Sequence, residues 1–102
     1  MNRGEVWWAQ AGGKRRPVLV LTRPEVIDVR ELVTVAEVTT AFRGLHSEVL
    51  IDNLEVGLPR ESAVNCDGLH TLRRSTLDEC AGELDPGTMN AVCQAVSYAL
   101  GC

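Results

Sequence analysis

Lys14 to Thr22 reads KRRPVLVLT, three cations run into a proline and then an unbroken apolar, β-branched stretch. Proline disfavours the α region for the residue before it, so Arg16 is set on extended backbone. Proline is also tolerated at the first residue of a strand. Val18, Leu19, Val20 and Leu21 then predict a strand buried on both faces. The outcome is a guanidinium at the lip of a rigid strand, a scaffold position suited to a working side chain. A cation cluster in a loop is more commonly solvated charge, so this stretch needs support from the rest of the chain.

The other elements follow from pattern. Gly4–Gln10 predicts a first strand in which Val6 and Trp8 share the core face and Trp7 points the other way, into an interface or a second core layer. Residues 11–14, AGGK, give a flexible hairpin connection, and an irregular turn runs from Arg23-Pro24 to Arg30. Residues 31–40 and 48–51 predict a third and fourth strand. Residues 62–66 and 69–72 predict two short strands around Asp67-Gly68, a strong turn signal. Ser75 with Asp78 resembles a helix cap of a single turn, and residues 80–84 predict a last strand. Asp85-Pro86 opens the one long helix, with Met89, Val92, Val96 and Ala99 or Leu100 at helical spacing and Gly101 at its end. Seven short strands and one C-terminal helix make the chain mainly β with α, a small curled, barrel-like sheet covered by the helix.

Composition narrows the function. A chain of 102 residues allows one domain, residues 1–102, with one modest core. The net charge of −4 disfavours coating of long duplex DNA, yet residues 1–30 carry six of the ten cations against three acids. An acidic protein with one basic lobe suits a short anion bound locally. Cys66, Cys80, Cys93 and Cys102 form no CxxC pair, which argues against zinc and for reduced, buried, hydrophobic cysteines. The start, MNRGEVWW, lacks the apolar segment of a signal peptide, and no run approaches a membrane span, so the expected location is the cytoplasm.

Four stretches in order, RGEVWWA (Arg3 to Ala9), KRRPVLVLT, TVAEVTTAFRGLHSEV (Thr34 to Val49) and GELDPGTMNAVCQAVSYALG (Gly82 to Gly101), resemble the MazF/PemK family of toxin endoribonucleases. The resemblance implies an SH3-like barrel shared with the CcdB gyrase poisons, a homodimer, inhibition by a small MazE-like antitoxin, and cofactor-free, metal-independent cleavage of single-stranded RNA at short sequences. It also implies a site. The family's catalytic arginine directly precedes the proline of the second strand, which is Arg16 here. Its catalytic threonine ends the third strand's apolar run, which is Thr39 here. Glu37 stands where the family usually has proline or a small residue, and Asp67-Gly68 where many relatives carry a longer side chain.

Metal-free cleavage needs charge on the phosphorane stabilised, a task suited to the planar, permanently charged fork of Arg16 with the hydroxyl of Thr39 beside it. Arg15 and Arg43 are expected to contact phosphates, and Thr40 and His70 to touch bases. Glu37 and His70 are the local candidates for a general base; neither is placed among the catalytic residues. The competing reading is a CcdB-like, non-enzymatic inhibitor of DNA gyrase.

Overall fold

The computed structural model describes residues 1–102 and contains six strands, two α-helices and a 3₁₀ turn. They follow the order β1 (Glu5–Ala11), β2 (Lys14–Val20), α1 (Pro24–Ile27), β3 (Leu32–Thr39), β4 (Glu48–Ile51), β5 (Ser62–Arg73), the 3₁₀ turn (Arg74–Thr76), β6 (Glu79–Glu83) and α2 (Pro86–Leu100). All six strands form one antiparallel sheet, ordered β4-β5-β3-β2-β1-β6.

Alternation along the strands builds two apolar layers, one on each face. Val6, Leu19, Ala36, Val38 and Val64 face α2, where they meet Val92 and Ala95. Ala9, Val18, Val20, Val33 and Val35 face the other way, against Ile27 of α1 and Leu77. Trp8 packs on the first layer and Trp7 on the second, so the two neighbouring indoles serve different cores. Burial of a Leu or Val side chain is worth about 1.5–3 kcal/mol, so these two layers dominate the stability of so small a fold.

The structure corrects the predicted elements at four places. Residues 62–73 form one strand, because Leu69 to Arg73 and Ala63 to Asn65 both pair with β3. Asp67-Gly68 is therefore a bulge inside β5, not a hairpin turn, and the strands number six rather than seven. Pro24 opens a short helix where an irregular turn is expected, proline being acceptable in a first helical turn. Ser75 caps nothing: the 3₁₀ turn has no side-chain cap. Of the cysteines only Cys66 is buried; Cys80, Cys93 and Cys102 are exposed, and all four are free thiols. The long helix keeps its expected limits, with the Asp85 carboxylate accepting the Thr88 N–H and Gly101 in the left-handed conformation at its end.

The connection between β4 and β5 presses directly on β6. A Cβ on Gly82 would lie 2.7 Å from Val56 Cα, and one on Gly57, where φ is +66°, would lie 2.7 Å from the Ala81 carbonyl oxygen. Main chain meets main chain here because two glycines permit it.

Candidate active site

The ladder between β2 and β3 stops early. Val20 pairs with Val35, Leu19 with Ala36 and Val18 with Glu37, and there the hydrogen bonding ends. The next residue on β2, Pro17, has no N–H to give. On its other side β2 stays paired to β1 as far as Lys14. The sheet is thus open from inside at one end, between the start of β2 and the end of β3. Continuing the register sets Arg16 across from Thr39, and side-chain alternation puts Arg16, Val18, Glu37 and Thr39 on one face.

A cleft of about 330 Å³ occupies this opening. Arg15, Arg16, Thr39 and Thr40 line it, four of the residues singled out from sequence. Lys14 and Arg60 add two cations that the sequence reading did not assign, and Leu58 and Pro59 form the opposite wall. Arg60 belongs to the β4–β5 connection, and nothing in its local sequence signals that it folds back towards β2. Arg43 and His70 do not line the cleft. A larger cleft of about 610 Å³, bordered by Arg3, Leu21, Leu32, Cys93 and Leu100, holds none of the expected site residues. We take the smaller one as the candidate site, because Arg16 and Thr39 both line it.

Each lining group has a defined state. Thr39 Oγ1 accepts the Ala41 N–H at 3.0 Å, which leaves its own proton to donate outward. Arg15 lies 4.9 Å over the Trp8 ring and pairs with Asp78 at 3.0 Å and Glu79 at 3.6 Å. These surface pairs are well exposed and hold Arg15 only weakly. Arg16 donates from Nη1 to Glu37 Oε1 at 2.6 Å, and its Nε is buried without a partner. The other Glu37 oxygen lies 2.5 Å from His70 Nε2. His70 pairs with Val35 across β3 and β5, so it shares the face that Glu37 and Arg16 occupy.

Two segments outside the cleft carry hydrogen bonds of their own. The Glu48 carboxylate accepts the N–H groups of Arg43 and Leu45, at 3.0 and 2.9 Å. The Leu45 and Arg43 amides hold its pKa below the usual carboxylate value. In the β5 bulge, Ser47 Oγ donates to Asp67 at 2.5 Å, while Asn65 Oδ1 accepts the Asp67 N–H. No cluster of three or more His, Cys, Asp or Glu side chains with metal-ligand geometry is present.

Known proteins give this arrangement its relatives. The chain is 39% identical over 102 residues to the probable endoribonuclease MazF2 of Mycobacterium tuberculosis, with all of both chains covered. It is 41% identical to the probable endoribonuclease MazF5 of the same organism, covering 98% of this chain and 93% of that one. The Mycobacterium tuberculosis toxin MazF-mt6 superposes with a TM-score of 0.88 at 37% identity, over 95% of this chain and 96% of the toxin. A mycobacterial endoribonuclease solved in complex with its cognate antitoxin gives the same TM-score at 28% identity, over 99% and 95% of the two chains. Residues 2–100 match the family described as PemK-like, MazF-like toxin of type II toxin–antitoxin system. With sequence, sheet and helix all in agreement, this chain belongs to the PemK/MazF family of type II toxins.

Proposed function

We propose that this protein is the toxin of a toxin–antitoxin pair and an endoribonuclease that cuts single-stranded RNA without a metal ion. The observation that carries this reading is that Arg16 and Thr39 line one cleft at the open end of the β2–β3 ladder. The 2′-hydroxyl of the RNA attacks the adjacent phosphorus, and the bond from phosphorus to the 5′-oxygen breaks. The products are a 2′,3′-cyclic phosphate and a 5′-hydroxyl. Arg16 meets the negative charge that builds on the nonbridging oxygens, and Thr39 donates its hydroxyl proton to the same oxygens. Holding the RNA in line supplies the remaining advantage.

Arg15 and Thr40 bind the RNA at the cleft, joined by Lys14 and Arg60. Arg43, beyond the end of β3, meets phosphate further along the chain. His70 lies next to the cleft, on Glu37, and its contact with a base is secondary to that pairing. The partners of this reading are a MazE-like antitoxin, whose acidic segment covers the Arg15–Arg16 cleft, and a second copy of the chain. Leu32 and Leu100, both exposed beside the larger cleft, give the second copy apolar surface to cover. No helix is long and apolar enough to cross a membrane, and cleavage of cellular RNA would take place in the cytoplasm.

The test is cleavage of a single-stranded transcript in EDTA, with Arg16→Ala as control and circular dichroism to verify folding. Cleavage lost in the variant is the expected result. Inhibition of gyrase supercoiling with RNA left intact would instead establish the CcdB-like alternative, to which the relatives lend no support.

A further inference from the structure

Glu37 sits in a built position. It contacts Arg16 of β2 with one oxygen and His70 of β5 with the other. The side chains of Arg16, Glu37 and His70 are only 15%, 16% and 27% exposed. Two glycines make the space. A Cβ on Gly12 would stand 3.0 Å from Glu37 Oε2 and 3.4 Å from Arg16 Nη2, and one on Gly68 would stand 2.9 Å from Glu37 Cδ. The bulge in β5 is what brings Gly68, rather than a residue with a side chain, against the carboxyl group.

The pairing divides the guanidinium. Arginine offers a side-on fork made of Nε and Nη2, and Nη1 lies outside it. Glu37 takes Nη1. Nε is buried without a partner, and Nη2, with no hydrogen bond of its own, faces the Gly12 turn. A buried donor left unmet costs about 1–3 kcal/mol, a penalty that an incoming anion would relieve. We infer that Glu37 is the positioning residue of this site: braced by His70, it holds Arg16 through Nη1 and so fixes the guanidinium that meets the scissile phosphate.

The same arrangement sets the state of His70. A carboxylate only accepts, so His70 donates from Nε2. It also carries a penalty in binding, because a negative oxygen 2.6 Å from the guanidinium opposes the approach of a phosphate. Positioning and repulsion therefore affect different kinetic constants. This inference rests on the ribonuclease reading above, and the test separates the two.

Steady-state cleavage and nitrogen-detected NMR are compared for wild type, Glu37→Gln and His70→Gln. Glutamine keeps an acceptor for Arg16 but turns an amide donor towards His70. We expect kcat to fall about 10²-fold, the scale of a misplaced functional group, with KM lowered by loss of the negative charge. The His70 ring should switch from the Nε2–H to the Nδ1–H tautomer in Glu37→Gln, with His46 as the unchanged reference. In His70→Gln the Arg16 Nη protons should remain restricted but weaken, with a smaller fall in kcat. Should Glu37→Gln fail to fold, Glu37→Asp keeps the charge and withdraws it by one methylene, and kcat should fall with KM unchanged. Wild-type kinetics in the folded Glu37 variants, with Arg16→Ala inactive, would overturn the positioning role and leave the ribonuclease reading standing. No cleavage by wild type would remove the ribonuclease reading itself, and an unchanged His70 tautomer would then refute the bridge independently.

Discussion

Carried two positions past Val18 and Glu37, where pairing between β2 and β3 ends, the register sets Arg16 opposite Thr39. The pair proposed to act on RNA therefore takes its placement from the sheet register, in a ladder that ends where Pro17 has no N–H to give. Thr39 should be the more discriminating test of the two. Thr39→Ser keeps the hydroxyl and should retain most activity, whereas Thr39→Val keeps the shape and should lose about 10²–10³ in kcat. Equal rates for both variants in a fluorescent RNA cleavage assay would remove the hydroxyl from the mechanism.

Arg15 is partly neutralised by Asp78 and Glu79 while its charge lies over Trp8. Asp78→Asn should free it and tighten binding of a single-stranded oligonucleotide several-fold. Arg15→Gln should weaken binding and lower the slope of log K against log salt by about 0.7, the value for one phosphate contact on a single strand. Fluorescence anisotropy across a salt series reads both effects.

How much of this was legible in the sequence depends on how local each signal is. Asp85-Pro86 and Gly101 carry their own stereochemistry, so the limits of α2 follow from three residues. Glu48–Ile51 matches its strand for the same reason, a short apolar run with clear ends. Asp67-Gly68 misleads because a turn dipeptide inside a long strand gives a bulge when the flanking residues share one partner strand. The Glu37–His70 contact spans 33 residues and is fixed by the β3–β5 register, which no short window contains. Arg60 reaches the cleft only through the packing of its loop.

Leu19 is fully buried in the helix-facing layer. Leu19→Ala should destabilise the protein by about 2–5 kcal/mol, the usual range for a large-to-small change in a core. Urea unfolding should show a lower midpoint with an unchanged slope. A loss below 1 kcal/mol would mean that the layer collapses around the cavity.

The thiols should divide into two classes. Burial, reinforced by the Asp67 charge, pushes the Cys66 pKa up to about 11, so its reactive thiolate is scarce near neutrality. Burial also raises the Cys80 pKa, to a smaller extent. With a disulfide reagent at pH 8, Cys102 should react first, Cys80 more slowly, and Cys66 only after unfolding. Mass spectrometry of the labelled peptides checks the order.

The loop after β3 should respond to acid. Glu48 binds the Arg43 and Leu45 amides as a carboxylate, and those bonds lower its pKa in the folded protein. Its contribution is therefore present above the unfolded pKa and is lost as pH falls through the lower, folded value. The Arg43 and Leu45 amide resonances should shift together on acidification, at a pH below that of a free glutamate. Glu48→Gln should blunt the response, and independent titration of the two amides would contradict it.

The Gly57 and Gly82 contacts have a consequence for how such toxins diversify. Leu58, Pro59 and Arg60 line one side of the cleft, just after the main chain of Val56 and Gly57 lies against Gly82 and Ala81, with the Val56 and Leu58 side chains in the core. Pro59 and Arg60 are exposed, so residues 59 and 60 can vary while the main-chain seam and the buried Leu58 keep the ledge beneath them in place. On the RNA-cleaving reading proposed above, new sequence preferences would evolve there without disturbing the fold that presents them.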